Sequence, residues 1–283
     1  MRRRLREAFP DEEREEKKGC LMSTVLALGA VGPETGNLQR FLVDGNFVDD
    51  MGRGLTVDES FGRKTLQAFA RWQLANGLPP RGFFDRENRL LAISQGFIPF
   101  VQAKNCQILF PKTRKIDLIV LHTMENAEKP DQAENCALWF ANKVAAYPAP
   151  MASAHFCVDS NSIVQCVRVQ DVAYHAPGAN HNGIGIEHFG RARQTPAEWH
   201  DDASTAALDL SARLVAKLCD EHELPGLKVA PDELRAGGAR GICGHLDVTL
   251  AFKKSSHVDP GSSFPWSEFL AKVSQLRLGI LPS

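Results

Sequence analysis

No stretch of the 283-residue chain reaches the ~18 to 20 successive apolar residues that a membrane-spanning helix requires, so the sequence offers no integral membrane segment. Neither sign of charge dominates. The 33 Lys and Arg stand against 34 Asp and Glu, which removes whole-chain attraction to nucleic acid or to an anionic membrane. The seven cysteines, at positions 20, 106, 136, 157, 166, 219 and 243, show no C-x-x-C spacing, and an odd number cannot pair completely within one chain. They read as mostly reduced, buried small residues. Glycine-rich stretches such as "GAVGPETG" lack the Lys-Ser/Thr ending of a phosphate loop, and no G-x-S-x-G marks a serine nucleophile. In the opening "MRRRLREAFPDEEREEKKG" acidic residues follow the arginines where an export signal would be apolar. Residues 1–24 therefore read as a charged, disordered tail, with Met22 as a second candidate start.

What is present is an ordinary globular composition, 43% hydrophobic and 24% charged, sufficient for one large core or two modest ones. Residues 25–97 predict a small three-helix unit. "GNLQRFLVDGNF" sets Leu38, Phe41 and Leu42 on one helical face, and "KTLQAFARWQLANGL" does so with Leu66, Phe69, Trp72 and Leu74 before Gly77 stops the helix. "LPPRGFFDRENRLLAISQGF" supplies a turn and a third helix, and residues 98–114 read as a connector.

From residue 115 the pattern becomes α/β. "KIDLIVLHT" is an apolar β-branched run of the kind buried on both faces of a sheet, and "AENCALWFANK" has helical spacing. "SAHFCVDSNSIVQCV" reads as a hairpin about Ser160-Asn161 that sets Cys157 opposite Val164, so no Cys157–Cys166 disulfide is expected. "GIGIEHFG" and "GARGICGHLDVT" supply further strands, "DASTAALDLSARLVAKLCDEHEL" a long amphipathic helix, and "WSEFLAKVSQL" a last helix capped by Ser267. A mixed central β-sheet flanked by helices follows from this order.

Residues 244–261, "GHLDVTLAFKKSSHVDPG", read as a loop-like stretch carrying two histidines and two aspartates. His122 follows one strand, His245 another, and Asp259 lies in the loop before Pro260-Gly261; strand ends are where an open sheet presents side chains to a crevice. Two imidazoles and one carboxylate, with a fourth position free, form the donor set of a catalytic zinc. The H-x-D pair also offers His257 as the third donor in place of Asp259. Ile184 and Ile186 share one face of their strand, which leaves Glu187 on the other; if that face lines the crevice, the carboxylate meets the metal.

Two resemblances add to this reading. "NLQRFL", the Gly45-x-Phe47 pair, "DESFGRKTLQAFARWQLANGL" and "GFFD" resemble the three-helix peptidoglycan-binding domain that accompanies many cell-wall hydrolases. "LIVLHT", "SAHF", "AYHAPGANHNGIGIEHFG", "GHLDVT" and "HVDPG", in that order over residues 116–261, resemble the zinc-dependent N-acetylmuramoyl-L-alanine amidases, a family that includes phage endolysins and animal peptidoglycan-recognition proteins. The resemblance implies a Zn2+ cofactor held by His122, His245 and Asp259, a catalytic Glu187, and substrate contacts at His175 and Asn182. It gives His257 an oxyanion-steadying role where relatives commonly carry lysine, although an imidazole near its usual pKa of ~6.5 is only partly cationic at neutral pH and zinc would lower it further. Ala154 stands where another branch has a catalytic tyrosine, which strengthens the case for Glu187, while His155 reads as structural.

The implied reaction is hydrolysis of the amide between N-acetylmuramic acid and L-alanine by a zinc-activated water. The expected setting is that of a phage endolysin, a monomer held in the cytoplasm of an infected host before release to the wall, with bacterial peptidoglycan as partner and neither nucleic acid nor a membrane bound. A non-catalytic peptidoglycan-binding protein and a zinc peptidase cutting stem peptides are the competing readings.

Overall fold

The computed structural model describes residues 25–111, 114–143 and 150–279; the expected tail over 1–24, with Met22 and Cys20, lies outside them. The chain divides into two compact units with the boundary after Phe100.

The first unit holds the strand β1 (Leu26–Ala27), helices α1 (Pro33–Asp44) and α2 (Arg63–Ala75), strand β2 (Phe83–Phe84), antiparallel to β1, and helix α3 (Arg86–Ser94). Pro33 starts α1, where its missing N–H costs nothing, and the Asp85 side chain caps α3 by accepting from Asn88 N at 3.0 Å. Leu38, Leu42, Phe69 and Trp72 are buried as the helical spacing requires, and Phe61, Phe84 and Phe97 join them in one core. Leu74 is not on that face; it is 62% exposed, because it lies two positions past Trp72 and so on the far side of the helix. Gln39 is one of the buried polar residues of this unit. Its Nε2 donates to Asp58 Oδ1 at 2.7 Å and Ser60 O at 2.9 Å, while its Oε1 accepts from the backbone N of Asp58 and Glu59, which pins the long α1–α2 loop.

The second unit begins earlier than the composition suggests. Val101 and Ala103 donate backbone hydrogen bonds to Gln165 O and Cys166 O, and β3 (Cys106–Gln107) pairs with a later strand, so part of the stretch read as a connector is built into this unit. Next come β4 (Leu118–Thr123), α4 (Gln132–Phe140), β5 (Phe156–Val158), β6 (Ile163–Gln165), β7 (Val172–Ala173, the partner of β3) and β8 (Gly183–His188). The short α5 (Pro196–Trp199), the long α6 (Asp202–Glu221), α7 (Pro231–Ala236), β9 (Gly241–Gly244), α8 (His245–Phe252) and α9 (Trp266–Arg277) complete it. The main sheet has the order β6-β5-β8-β4-β9, with β6 antiparallel and the other four strands parallel, the mixed sheet that the sequence implies. Cys157 pairs with Val164 as expected, and the six described cysteines are all free.

Two local expectations fail. Residues 245–252 are helical rather than loop-like, because Asp247 accepts from Gly244 N at 2.7 Å and the apolar Val248 and Ala251 are buried on one face. Ser267 is not the cap of α9; the helix starts at Trp266 behind Pro265, with no side-chain cap. Among the described residues no helix is long and apolar enough to cross a membrane.

Candidate metal centre

In parallel strands, residues at one register level point to the same face. His122 of β4 is level with Glu187 of β8, and Glu187 with Cys157 of β5, so these three share a face near the C-terminal ends of the strands. Ile184, Ile186 and His188 occupy the opposite face, where α6 and α9 lie; His188 Nε2 is 2.6 Å from Ser211 Oγ of α6. The sequence expectation for Glu187 therefore holds as geometry.

His245 arrives as the first residue of α8, immediately after β9. Asp259 reaches the same point because Leu246 N donates to its backbone O at 2.8 Å. Gly261 then turns the chain away with φ +98°, at a place where any Cβ would collide with the Ala192 carbonyl, so only glycine fits there. His122, His245 and Asp259 are all buried and each offers a donor atom, the three lying within 4.8 Å of one another. Asp259 Oδ2 is 3.0 Å from His122 Nδ1, and Asp259 Oδ1 is 3.4 Å from Nδ1 of both His245 and His257.

The electrostatics follow from burial and this one carboxylate. Burial alone would raise the Asp259 pKa, but hydrogen bonds from His122, His245 and His257 hold it far below the carboxylate range. Burial depresses His122 against the pull of Asp259, so its ring is neutral at pH 7. His257 is exposed and stacks on His245, with centroids 4.4 Å apart and planes 12° apart; the hydrogen bond to Asp259 raises its pKa. Glu187 is pushed up to about 8 by burial, with Asp259 and Glu125 adding to the rise, and its Oε2 is buried without a hydrogen-bond partner.

His175 comes to the centre. It is buried behind His122, with Nδ1 3.0 Å from His122 Nε2. Asn182 is not brought to the centre at all. It precedes β8, at the opposite end of that strand from Glu187, where its backbone O accepts from Asp117 N and its Nδ2 donates to Asp117 Oδ2 at 3.4 Å. His155 is structural as expected, accepting from Gly185 N at 3.0 Å. The sequence reading missed three supporting groups. His188 Nδ1 donates to the His122 carbonyl at 3.1 Å, and Ser255 Oγ lies 3.3 Å from His245 Nε2. Glu125, with φ +56°, accepts from Thr123 Oγ1 and Ala192 N; its only sequence signal is that it follows His122 by three residues.

Comparison with known proteins agrees with this centre. The family model described as N-acetylmuramoyl-L-alanine amidase matches residues 112–262, a little over half of the chain, and spans all three clustered side chains. N-acetylmuramoyl-L-alanine amidase A of Achromobacter lyticus is 30% identical over 164 residues, covering 53% of this chain and 79% of that protein. Among solved structures, the Staphylococcus aureus hydrolase AmiA in complex with its ligand aligns with a TM-score of 0.47 at 15% identity, over 69% of this chain and 92% of that one. A selenomethionine AmpD derivative aligns with a TM-score of 0.45 at 18% identity, over 62% and 93%. On the extent of the family match and the identity to the Achromobacter enzyme, the chain belongs to the N-acetylmuramoyl-L-alanine amidase family and is a peptidoglycan amidase.

Proposed function

We propose that this amidase is zinc-dependent and cleaves the bond between the lactyl group of N-acetylmuramic acid and the L-alanine of the stem peptide. The observation that carries the reading is the convergence of His122, His245 and Asp259, three buried donors from distant parts of the chain. The donor set fits a zinc ion. Two imidazoles and an ionised carboxylate, all buried, bring their donor atoms within 4.8 Å of one another, the ligand types and number of a catalytic zinc site. When held by His122, His245 and Asp259, zinc would supply Lewis acidity toward a carbonyl and toward a water.

The chain's own residues supply the rest. Glu187 Oε2, buried and without a protein partner, is suited to take the proton of the attacking water and to return it to the departing amine of L-alanine. A raised pKa matches that double duty, since a group that both accepts and donates works best near the operating pH. His257, exposed beside the centre, is placed to donate a hydrogen bond to the negative oxygen that develops on the substrate.

Mass spectrometry of digested peptidoglycan tests the bond. Intact stem peptides with a free L-alanine amine support the reading; cuts inside the peptide favour a peptidase, and no release from zinc-loaded protein favours a binding protein. A role in wall lysis of the phage endolysin kind, acting after release from the host cytoplasm, is supported by the helical unit over 25–97 and its likeness to peptidoglycan-binding modules.

A further inference from the structure

We infer that His175 is a positioning residue for His122, fixing the tautomer and ring angle with which His122 offers Nδ1 to a cation. The inference rests on the zinc reading above and adds to it a residue outside the ligand set.

Hydrogen-bond direction carries the argument. His175 Nε2 lies 3.4 Å from the carbonyl O of Gly183, an atom that can only accept, so a proton on Nε2 is donated there and the Nδ1 lone pair is free. That Nδ1 is 3.0 Å from His122 Nε2, which donates to it when a cation takes the other ring nitrogen of His122. The other nitrogen, Nδ1, faces Asp259; a cation there would replace the proton shared with the carboxylate, and His175 with the Gly183 carbonyl would hold the remaining His122 proton on Nε2. The other tautomer of His175 would set a lone pair against the Gly183 carbonyl. Supporting partners of this kind fix which ring nitrogen a ligating histidine presents.

The surrounding sequence is shaped to hold the ring. The rings of His175 and His122 meet edge to face, with centroids 5.1 Å apart and planes at 87°. Asn180 Oδ1 accepts from the backbone N of His175 at 2.9 Å and of Ala176 at 2.6 Å, which fixes the loop. Arg114 Nη2 donates to the Gly183 carbonyl at 2.8 Å and holds it in place. The ring lies against Gly185, where a Cβ would stand 2.5 Å from His175 Cγ. The glycine of "GIGIE" two residues before Glu187 therefore makes room for the ring that supports His122, on the face that also carries Glu187.

The test is zinc affinity of the full chain, measured by competition with a chromophoric chelator for wild type, His175→Leu and His175→Asn, with circular dichroism as the control for folding. Asparagine can place an acceptor oxygen near the Nδ1 position, whereas leucine has similar size and none. The expected result is a loss of roughly 10- to 100-fold in zinc affinity for leucine and recovery to within about threefold for asparagine. Equal zinc affinity of leucine variant and wild type, with a raised KM, would overturn the inference in favour of a substrate contact while leaving the zinc reading intact. A wild type that takes up no zinc overturns both. Long-range 1H–15N correlation of the histidine rings in the zinc-loaded wild-type protein needs no substitution: Nε2–H on both His122 and His175 is expected, and Nδ1–H on His175 would contradict the inference.

Discussion

Oδ2 of Asp259 lies 3.0 Å from Nδ1 of His122, across 137 residues of chain. A single carboxylate thus joins the end of β4 to the turn that follows α8, and its other oxygen faces His245 and His257. Because β4 is a central strand with parallel partners on both sides, His122 is held rigidly and Asp259 is brought to it. Catalytic geometry of this kind depends on the scaffold holding side chains to within fractions of an ångström.

Replacing His122 by alanine should therefore abolish zinc uptake and lower amidase activity by more than the ~100-fold typical when a ligand-supporting residue is lost. Wall-lysis assays and zinc stoichiometry measure this, with far-ultraviolet circular dichroism expected to stay unchanged. Retained zinc at one ion per chain would count against His122 as a ligand.

Glu187→Gln keeps the shape of the side chain and removes its proton chemistry. A fall of roughly 10²- to 10⁴-fold in kcat is expected, with zinc affinity near that of wild type. A kcat within tenfold of wild type would remove Glu187 from the mechanism.

Glu134 gives a pH dependence of stability separate from the centre. Burial, with Asp159 adding to it, pushes its carboxyl from the ordinary 4.5 up to about 7, and its Oε2 has no hydrogen-bond partner. The folded state thus binds this proton more tightly than the unfolded state. Below about pH 4.5 both states are protonated and the group is neutral to stability; as pH rises toward 7 the folded state pays an increasing cost, which then levels off. Glu134→Gln should raise unfolding free energy at pH 8 by about 1–3 kcal/mol and leave it little changed at pH 4. Urea denaturation at the two pH values checks the sign; equal effects at both would show that ionisation is not the cause.

Removal of residues 1–100 should lower co-sedimentation with purified cell walls while hydrolysis of soluble muropeptides persists. Unchanged wall affinity in the shortened protein would contradict a wall-binding role for the first unit.

Much of the fold was legible because the signals are local. "LIVL" is apolar at every position and is buried on both faces in β4, and the hairpin turn at Ser160-Asn161 sets the Cys157–Val164 register. What escaped depends on distant partners or on short caps. Helix α8 was hidden by its polar residues, one of which, Asp247, caps it. The resemblance that implies a substrate contact for His175 carries no sign of the histidine 53 residues earlier against which the fold packs it. Asn182 shares a motif with Glu187, yet the extended strand between them sends them to opposite ends of the sheet.

Anomalous scattering at the zinc edge, from a crystal grown with zinc, locates the ion among the three side chains. One strong peak is expected within ~2.0 to 2.2 Å of a nitrogen of His122, a nitrogen of His245 and an oxygen of Asp259, with no fourth protein donor. A peak elsewhere, or a coordination sphere closed by four protein atoms, would contradict this expectation.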